Sequence, residues 1–228
     1  MSLPDTHLDL GCGDRPRNPY QRTRLFGVDI REVPGTDRFE SRAANLSVDP
    51  IPFDDDQFGS VSAFDFFEHV PRVLSTSDGR STRLPFIEVM NEVWRVLAPG
   101  GRLYAVTPAY PRLEAFVDPT HVNFITDGTH RYFCGDEPMG RMYGFTGRFK
   151  VVRVDWVDHQ ADAFIGDDWP QRHAEVARRQ ARRNQPLRRF VRRLRQAVRL
   201  LAGKETAVIH GTPSSHLLWE LEAVKPGH

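Results

Sequence analysis

The stretch His7-Leu8-Asp9-Leu10-Gly11-Cys12-Gly13 sets an acid and two glycines in an apolar run, and Asp29 follows sixteen residues after Gly13 at the end of the next apolar run. A strand that ends in Gly-x-Gly lets backbone approach a ligand closely, and an acid at the tip of the next strand can accept hydrogen bonds from a ribose diol. The pattern is that of a nucleoside pocket. Dinucleotide sites add a third glycine for close helix packing and a helix N-terminus for pyrophosphate. Here the third position is Pro16, followed by Asn18-Pro19, so a nucleoside without phosphate fits better. Taken alone, Gly11-x-Gly13 is equally an ordinary strand-to-turn glycine pair.

The elements that must position these residues read as short strands alternating with helix or loop. Leu8–Leu10 run into the glycine pair, Leu25–Val28 end at Asp29, Val61–Phe64 end at Asp65, and Arg102–Val106 follow the turn Pro99-Gly100-Gly101. Between the last two, Phe86, Met90, Val93, Trp94 and Leu97 recur at helical spacing, with Pro85 at the start and Pro99-Gly100 past the end. This predicts a crossover helix over Pro85–Leu97. Alternation of this kind builds a doubly wound parallel α/β sheet. Residues 108–147 are rich in Pro, Gly and aromatics and suit loops on a binding face. Phe149–Val157 and His216–Val224 are two late strands.

Three more segments carry a family likeness: Asn45-Leu46 with Pro52-Phe53-Asp54-Asp55-Asp56-Gln57-Phe58, then Asp65-Phe66-Phe67-Glu68-His69-Val70, then Trp94-Arg95-Val96-Leu97-Ala98-Pro99-Gly100-Gly101-Arg102-Leu103. With the glycine motif, their order and spacing resemble the class I S-adenosylmethionine-dependent methyltransferases, in the small bacterial branch of type 11. The resemblance covers residues 7–110 well and runs more loosely through Asp118–Val122, Arg131–Phe133, Phe149–Trp156 and Ser215–Glu222. It implies a Rossmann-like seven-stranded sheet with an antiparallel last strand, and S-adenosylmethionine lying across the strand carboxyl ends. By the same resemblance Asp9, Gly11, Cys12 and Gly13 would shape the turn and meet the methionyl part, and Asp29 would hold the ribose. Ile30 would border the adenine. Asn45 and Leu46 fall where the family commonly has Asp-Leu against the adenine, and Asp65 and Phe66 would line the floor beside the sulfonium. Asp65 is otherwise a capping residue at a strand end.

The chain departs from the family in two places. Asp14–Thr23 is rich in Pro and Arg and does not read as the long helix that normally follows the glycine loop. The first strand begins almost at residue 1, which predicts an open site without a preceding helical lid.

Methyl transfer from a sulfonium is an in-line displacement, so the protein must align the acceptor and exclude water. A hydroxyl acceptor also has to lose its proton, a task often given to histidine. His121, in Asp118-Pro119-Thr120-His121, is the first candidate because this branch builds its acceptor pocket there, with Asp118 to orient it. His69 is the second, although Glu-His after the fourth strand is equally a structural cap. Asp118, Tyr110 and Tyr132 are expected to contact the acceptor, and Tyr104, Phe124, Phe133 and Tyr143 are further pocket or core aromatics. No compact His/carboxylate cluster with ligand spacing stands in the sequence, so no metal is expected. The acceptor expected is a sugar hydroxyl on a small or lipid-linked glycan. A nitrogen, carbon or carboxylate acceptor, or a non-catalytic adaptor at the membrane, is the alternative.

The 228 residues are 39% hydrophobic and 27% charged, enough for one buried core with an appendage, and they exclude a wholly disordered chain. Cys12 and Cys134 are too few for a disulfide scaffold and too far apart for a zinc ribbon, which favours a reducing compartment. No run of about 18 apolar residues or export signal is present, so a cytoplasmic location is expected. The net charge of +1 conceals an asymmetry: residues 171–204 hold eleven Arg and one Lys against Glu175 alone. Only three of the 31 basic residues are Lys, a bias that hints at a GC-rich bacterial genome. Leu187, Phe190, Val191, Leu194, Ala197, Val198 and Leu201 form a helical apolar stripe among these arginines. This inserted basic helix could pack on the domain or on a second copy, lie on an anionic membrane, or meet a polyanion. With one aromatic in the stretch and no nucleic-acid module, nucleic acid is the least favoured partner.

Overall fold

The computed structural model describes residues 2–37, 39–157 and 215–226. The chain divides into a unit of Met1–Phe164 with Ser214–His228 and a second unit, Ile165–Pro213. The basic helix expected over 187–201 lies outside the described residues, as does the rest of the 171–204 insertion.

Seven strands form the sheet: β1 (Thr6–Leu10), β2 (Arg24–Asp29), β3 (Phe39–Ala43), β4 (Phe58–Phe64), β5 (Leu97–Pro108), β6 (Phe149–Val157) and β7 (His216–Ala223). Their spatial order is 3-2-1-4-5-7-6. β1 lies parallel to β2 and to β4, so the chain reverses its direction of winding at β1. β7 runs antiparallel between β5 and β6 and closes the reversed hairpin. β1 and β4 are buried throughout, with the apolar Leu8, Leu10, Val61 and Ala63 on one face and the polar His7, Asp9, Ser60 and Ser62 on the other.

β3 was not legible in the sequence. Phe-Glu-Ser-Arg-Ala buries Phe39 alone, because this strand is at the edge of the sheet and pairs only with β2. The Pro99-Gly100-Gly101 turn is also placed differently from expectation. Phe58 pairs with Leu97 and Ser60 with Arg102, so residues 98–101 bulge out opposite Gly59 within the ladder. The turn is real but does not end the strand.

Helix α1 (Pro85–Val96) has Pro at its start, Glu88 in the first turn and Arg95 in the last, in keeping with the helix dipole. Its apolar stripe, including Met90, Val93 and Val96 with no exposed surface, packs on one face of the sheet against Leu8, Val61, Leu103 and Trp219. Each such side chain contributes about 1.5–3 kcal/mol by burial. Arg95 ties the helix to the preceding loop by donating to the Ile51 and Phe53 carbonyls, each at 2.8 Å. As the sequence led us to expect, Asp14–Thr23 form no helix; they run as turns and extended chain. Tyr20 in this segment sets its ring edge-on to Tyr104 and donates to Glu220 at 2.7 Å. Among the described residues no helix is long and apolar enough to cross a membrane.

Candidate active site

The strand ends on either side of the reversal at β1 open into a cavity of ≈ 400 Å³ lined by Gly11, Val28, Asp29, Ile30, Arg31, Ala44, Asn45, Leu46, Ser47, Asp65, Phe66, His69 and Val70. Gly11 adopts φ +66°, and a Cβ there would stand 3.2 Å from the Phe66 ring. Glycine is therefore required both for the turn and for close approach to the cavity floor. The loop is anchored on β2 by bonds from the Gly11 and Cys12 amides to the Val28 carbonyl, at 2.8 and 3.2 Å. Gly27 makes room for this, since a Cβ on it would meet the Cys12 sulfur at 2.6 Å.

Asp29 accepts from the Gly13 amide at 3.0 Å on one carboxylate oxygen, and from the Arg31 amide and Nε at 3.0 and 3.1 Å on the other. Burial would raise its pKa, but these bonds outweigh it and hold the carboxyl below its ordinary value. An ionised, fixed acceptor therefore faces the cavity. Asn45 uses its side-chain oxygen on the Ser47 amide at 3.1 Å, forming a turn and leaving its NH2 group to donate. Leu46, Val70, Phe66 and the exposed rim residue Ile30 give the apolar walls. Two carboxylates, an amide donor and apolar walls fit a nucleoside with a cationic substituent, and the volume is in the range of small-molecule sites.

Asp9 stands apart from the expectation of contact with the methionyl part. It has no exposed surface and accepts from Ser62 Oγ at 2.6 Å and from the Arg17 amide at 2.7 Å. It holds the loop from beneath and does not line the cavity. His7, which sequence reasoning missed, continues this network, with Nε2 2.8 Å from Ser62 Oγ and Nδ1 2.8 Å from Ser60 Oγ. Because Ser62 gives its proton to Asp9, it accepts from His7 Nε2, and His7 Nδ1 accepts from Ser60. The signal was the alternation of polar His7/Asp9 and Ser60/Ser62 along two neighbouring strands, which puts all four on one face. Cys12 and Gly13 do not line the cavity. Cys12 is core, and burial, aided by the Asp9 and Asp29 charges, pushes its thiol up to about 12, so it is no nucleophile.

Asp65 turns the chain out of β4 at φ +48°, a conformation that costs a non-glycine residue energy and marks functional sites disproportionately. The turn sends Phe66 under Gly11 and places Asp65 Oδ1 3.3 Å from His216 Nε2 at the start of β7. A 3₁₀ turn, Phe67–His69, then carries Glu68 inward and His69 to the cavity. The amides of Val122 and Asn123 both donate to the Glu68 carbonyl at 2.9 Å, and this brings His121 beside His69 with ring centroids 4.9 Å apart and planes at 76°. The two candidate bases thus form one pair.

Asp118 acts differently from the expectation that it orients His121. Its carboxylate lies 3.9 Å from His121 Nε2, beyond hydrogen-bond reach, and accepts from the Thr120 amide and hydroxyl at 2.8 and 2.7 Å. Those bonds hold the Asp118 carboxyl below its ordinary value. Thr120 Oγ1 in turn lies 3.0 Å from His69 Nδ1, so Asp118 positions His69 through Thr120. Tyr132 stacks on Tyr143 and packs against the main core, away from the cavity lining. Tyr110 is 56% exposed and forms, with Phe116 and Phe124, an aromatic surface on the loop that carries His121. Tyr104 and Phe133 are core residues.

A sheet of order 3-2-1-4-5-7-6 with an antiparallel seventh strand, and a phosphate-free nucleoside cavity across its carboxyl ends, defines a class I methyltransferase fold. Residues 8–105 match the type 11 family model described as a methyltransferase domain. This segment is a class I methyltransferase domain, the protein is an S-adenosylmethionine-dependent methyltransferase, and S-adenosylmethionine is its cofactor. No curated protein matches the chain significantly by sequence. Solved structures of similar fold include the complex between the Haloferax volcanii Trm112 methyltransferase activator and a methyltransferase, at 19% identity over 97% of this chain and 83% of that one, with a TM-score of 0.51. The YcgJ protein from Bacillus subtilis is 16% identical over 99% and 94%, with a TM-score of 0.50. A methyltransferase from Bacillus halodurans is 15% identical over 99% and 95%, also with a TM-score of 0.50.

Proposed function

We propose that the protein is an O-methyltransferase whose acceptor is a sugar hydroxyl on a small or lipid-linked glycan. The observation that carries this reading is the His69–His121 pair, one member of which lines the cofactor cavity. S-adenosylmethionine, when bound, supplies a methyl group on a sulfonium centre. Asp29 holds the ribose hydroxyls, Asn45 and Leu46 meet the adenine, and Asp65 offsets the positive charge beside Phe66. The histidine pair holds the acceptor hydroxyl and prepares it to lose its proton, since a neutral alcohol is a poor nucleophile. The exposed Tyr110, Phe116 and Phe124 give the same loop an apolar surface suited to sugar-ring faces or a lipid tail.

A lipid-linked acceptor would place the protein at the inner face of a bacterial membrane, in the cytoplasm, with the arginine-rich stretch 187–201 meeting anionic headgroups. Transfer of labelled methyl to a panel of glycans and glycolipids tests the acceptor class. His121→Ala is expected to reduce transfer about 10²- to 10⁴-fold, the range of acid–base contributions. Undiminished turnover in that variant would instead point to a nitrogen, carbon or carboxylate acceptor. Binding of S-adenosylhomocysteine, but not NAD, checks the cofactor half separately.

A further inference from the structure

We propose that Glu68, His69 and His121 bind one divalent transition-metal ion, of the zinc or manganese class, on the acceptor side of the cofactor cavity. Each of the three side chains offers one ligand atom, and these atoms lie within 4.8 Å of one another. Fifty-two residues separate His69 from His121, so the cluster is invisible in sequence spacing and exists only through the fold. It is also built firmly. The Val122 and Asn123 amides hold the Glu68 carbonyl, and Asn123 Nδ2 holds the Phe67 carbonyl at 3.2 Å.

The surrounding hydrogen bonds prepare each residue as a ligand. Thr120 gives its hydroxyl proton to Asp118, so its oxygen must accept from His69, whose Nδ1 therefore carries the proton and whose Nε2 keeps a lone pair. His121 Nδ1 lies 3.3 Å from the Ala115 carbonyl, which can only accept, so the same tautomer follows and Nε2 again keeps its lone pair. Protein metal sites fix their histidines in this way, by acceptors on the far ring nitrogen. Glu68 is 1% exposed, and its Oε2 is oriented by the Thr107 hydroxyl at 2.9 Å. Two imidazoles and a carboxylate suit a borderline divalent ion and leave coordination positions open. A divalent ion with bonds of about 2.1 Å draws such ligand atoms to about 3–4 Å apart, a contraction of about 1 Å from the present limit.

The use of the ion rests on the O-methyltransferase reading. An open position takes the acceptor oxygen, and the ion lowers the pKa of that hydroxyl. The proton passes to water, the oxygen forms a bond to the methyl carbon, and the carbon–sulfur bond breaks with its electron pair going to sulfur. The ion itself is neither oxidised nor reduced.

The test uses the full chain, stripped with chelator and dialysed against Zn²⁺, Mn²⁺ or Co²⁺, with bound metal counted by mass spectrometry and the Co²⁺ form examined by visible absorption. One ion per chain is expected, weakened by at least about tenfold in His121→Ala and in the near-isosteric Glu68→Gln and His121→Gln. S-adenosylhomocysteine binding and thermal melting report whether each variant is folded, and His173→Ala controls for chance histidine binding. Equal metal binding in folded Glu68→Gln and His121→Gln would overturn the proposal, as would a wild-type chain that binds S-adenosylhomocysteine but retains no ion. In that last case O-methylation through the histidines acting directly would still stand, so the two ideas fail separately.

Discussion

In the proposed site Asp29 would link the cofactor to the protein's own loop, because the carboxylate proposed to meet the ribose also fixes the Gly13 and Arg31 amides. Asp29→Ala should weaken S-adenosylhomocysteine binding by about 1–3 kcal/mol, or about 5- to 150-fold, by calorimetry. Unchanged affinity would remove Asp29 from the site. The buried pair His7 and Asp9 makes a subtler prediction. Burial raises Asp9 from 3.8 to about 7, against the bonds from Ser62 and the Arg17 amide, and burial lowers His7 from 6.5 to about 3. Between these limits the folded pair holds one proton, on Asp9, and the unfolded pair also holds one, on His7. The raised Asp9 alone makes stability fall as pH rises from about 4 to about 7, since the folded state binds the extra proton. The lowered His7 alone makes stability rise from about pH 3 to about 6.5, since there the unfolded state binds it. The two slopes oppose each other in the natural sequence. Urea unfolding at pH 4.5 and 6.5 should therefore find Asp9→Asn more stable at the higher pH and His7→Gln more stable at the lower. The same slope in both variants would show that the pair is not balanced in this way.

Among the elements, α1 is the one long helix of the described residues and carries the main core on its buried stripe. Met90→Ala should cost about 2–5 kcal/mol in denaturant unfolding, with cofactor affinity largely kept, because Met90 is fully buried and does not line the cavity. The helix and the central strands were legible because their apolar residues are periodic or continuous. That Gly11, Asp29, Asn45, Asp65 and His69 line one cavity was legible because they lie at or shortly after strand ends, where this topology opens its crevice. β3 was not, since an edge strand buries little. The meeting of His69 with His121, and the relay from Asp118 through Thr120, were not legible either. They depend on backbone bonds between a 3₁₀ turn and a distant loop, for which no local pattern codes. The burial of Asp9 was not legible for a related reason: motif position gives proximity to the loop but not which way a carboxylate is satisfied.

At the scale of the whole molecule, the charge is divided between an acidic methyltransferase body and the basic stretch 171–204. If that stretch serves a membrane, replacing Leu187, Phe190, Val191 and Leu194 by Ser should abolish sedimentation with anionic vesicles while S-adenosylhomocysteine binding persists. Sedimentation that survives the change, or a chain that no longer folds, would transfer the stripe to packing within the protein or between copies.

The position of β7 also sets an order of events in the life of the chain. β7 is the last of the seven strands in sequence, yet it lies between β5 and β6, and 58 residues separate it from β6. At about 5–20 residues per second on the ribosome, the neighbours of β7 wait about 3–12 s for it after β6 is made. Through that interval two strand edges stand open to mispairing, proteases or chaperones, Trp219 is still missing from the core, and Asp65 still lacks His216 beside it. A complete sheet, and the methyl transfer that depends on it, therefore waits until β7 has been made, and a nascent chain halted before β7 is a target for clearance and not a partly active enzyme.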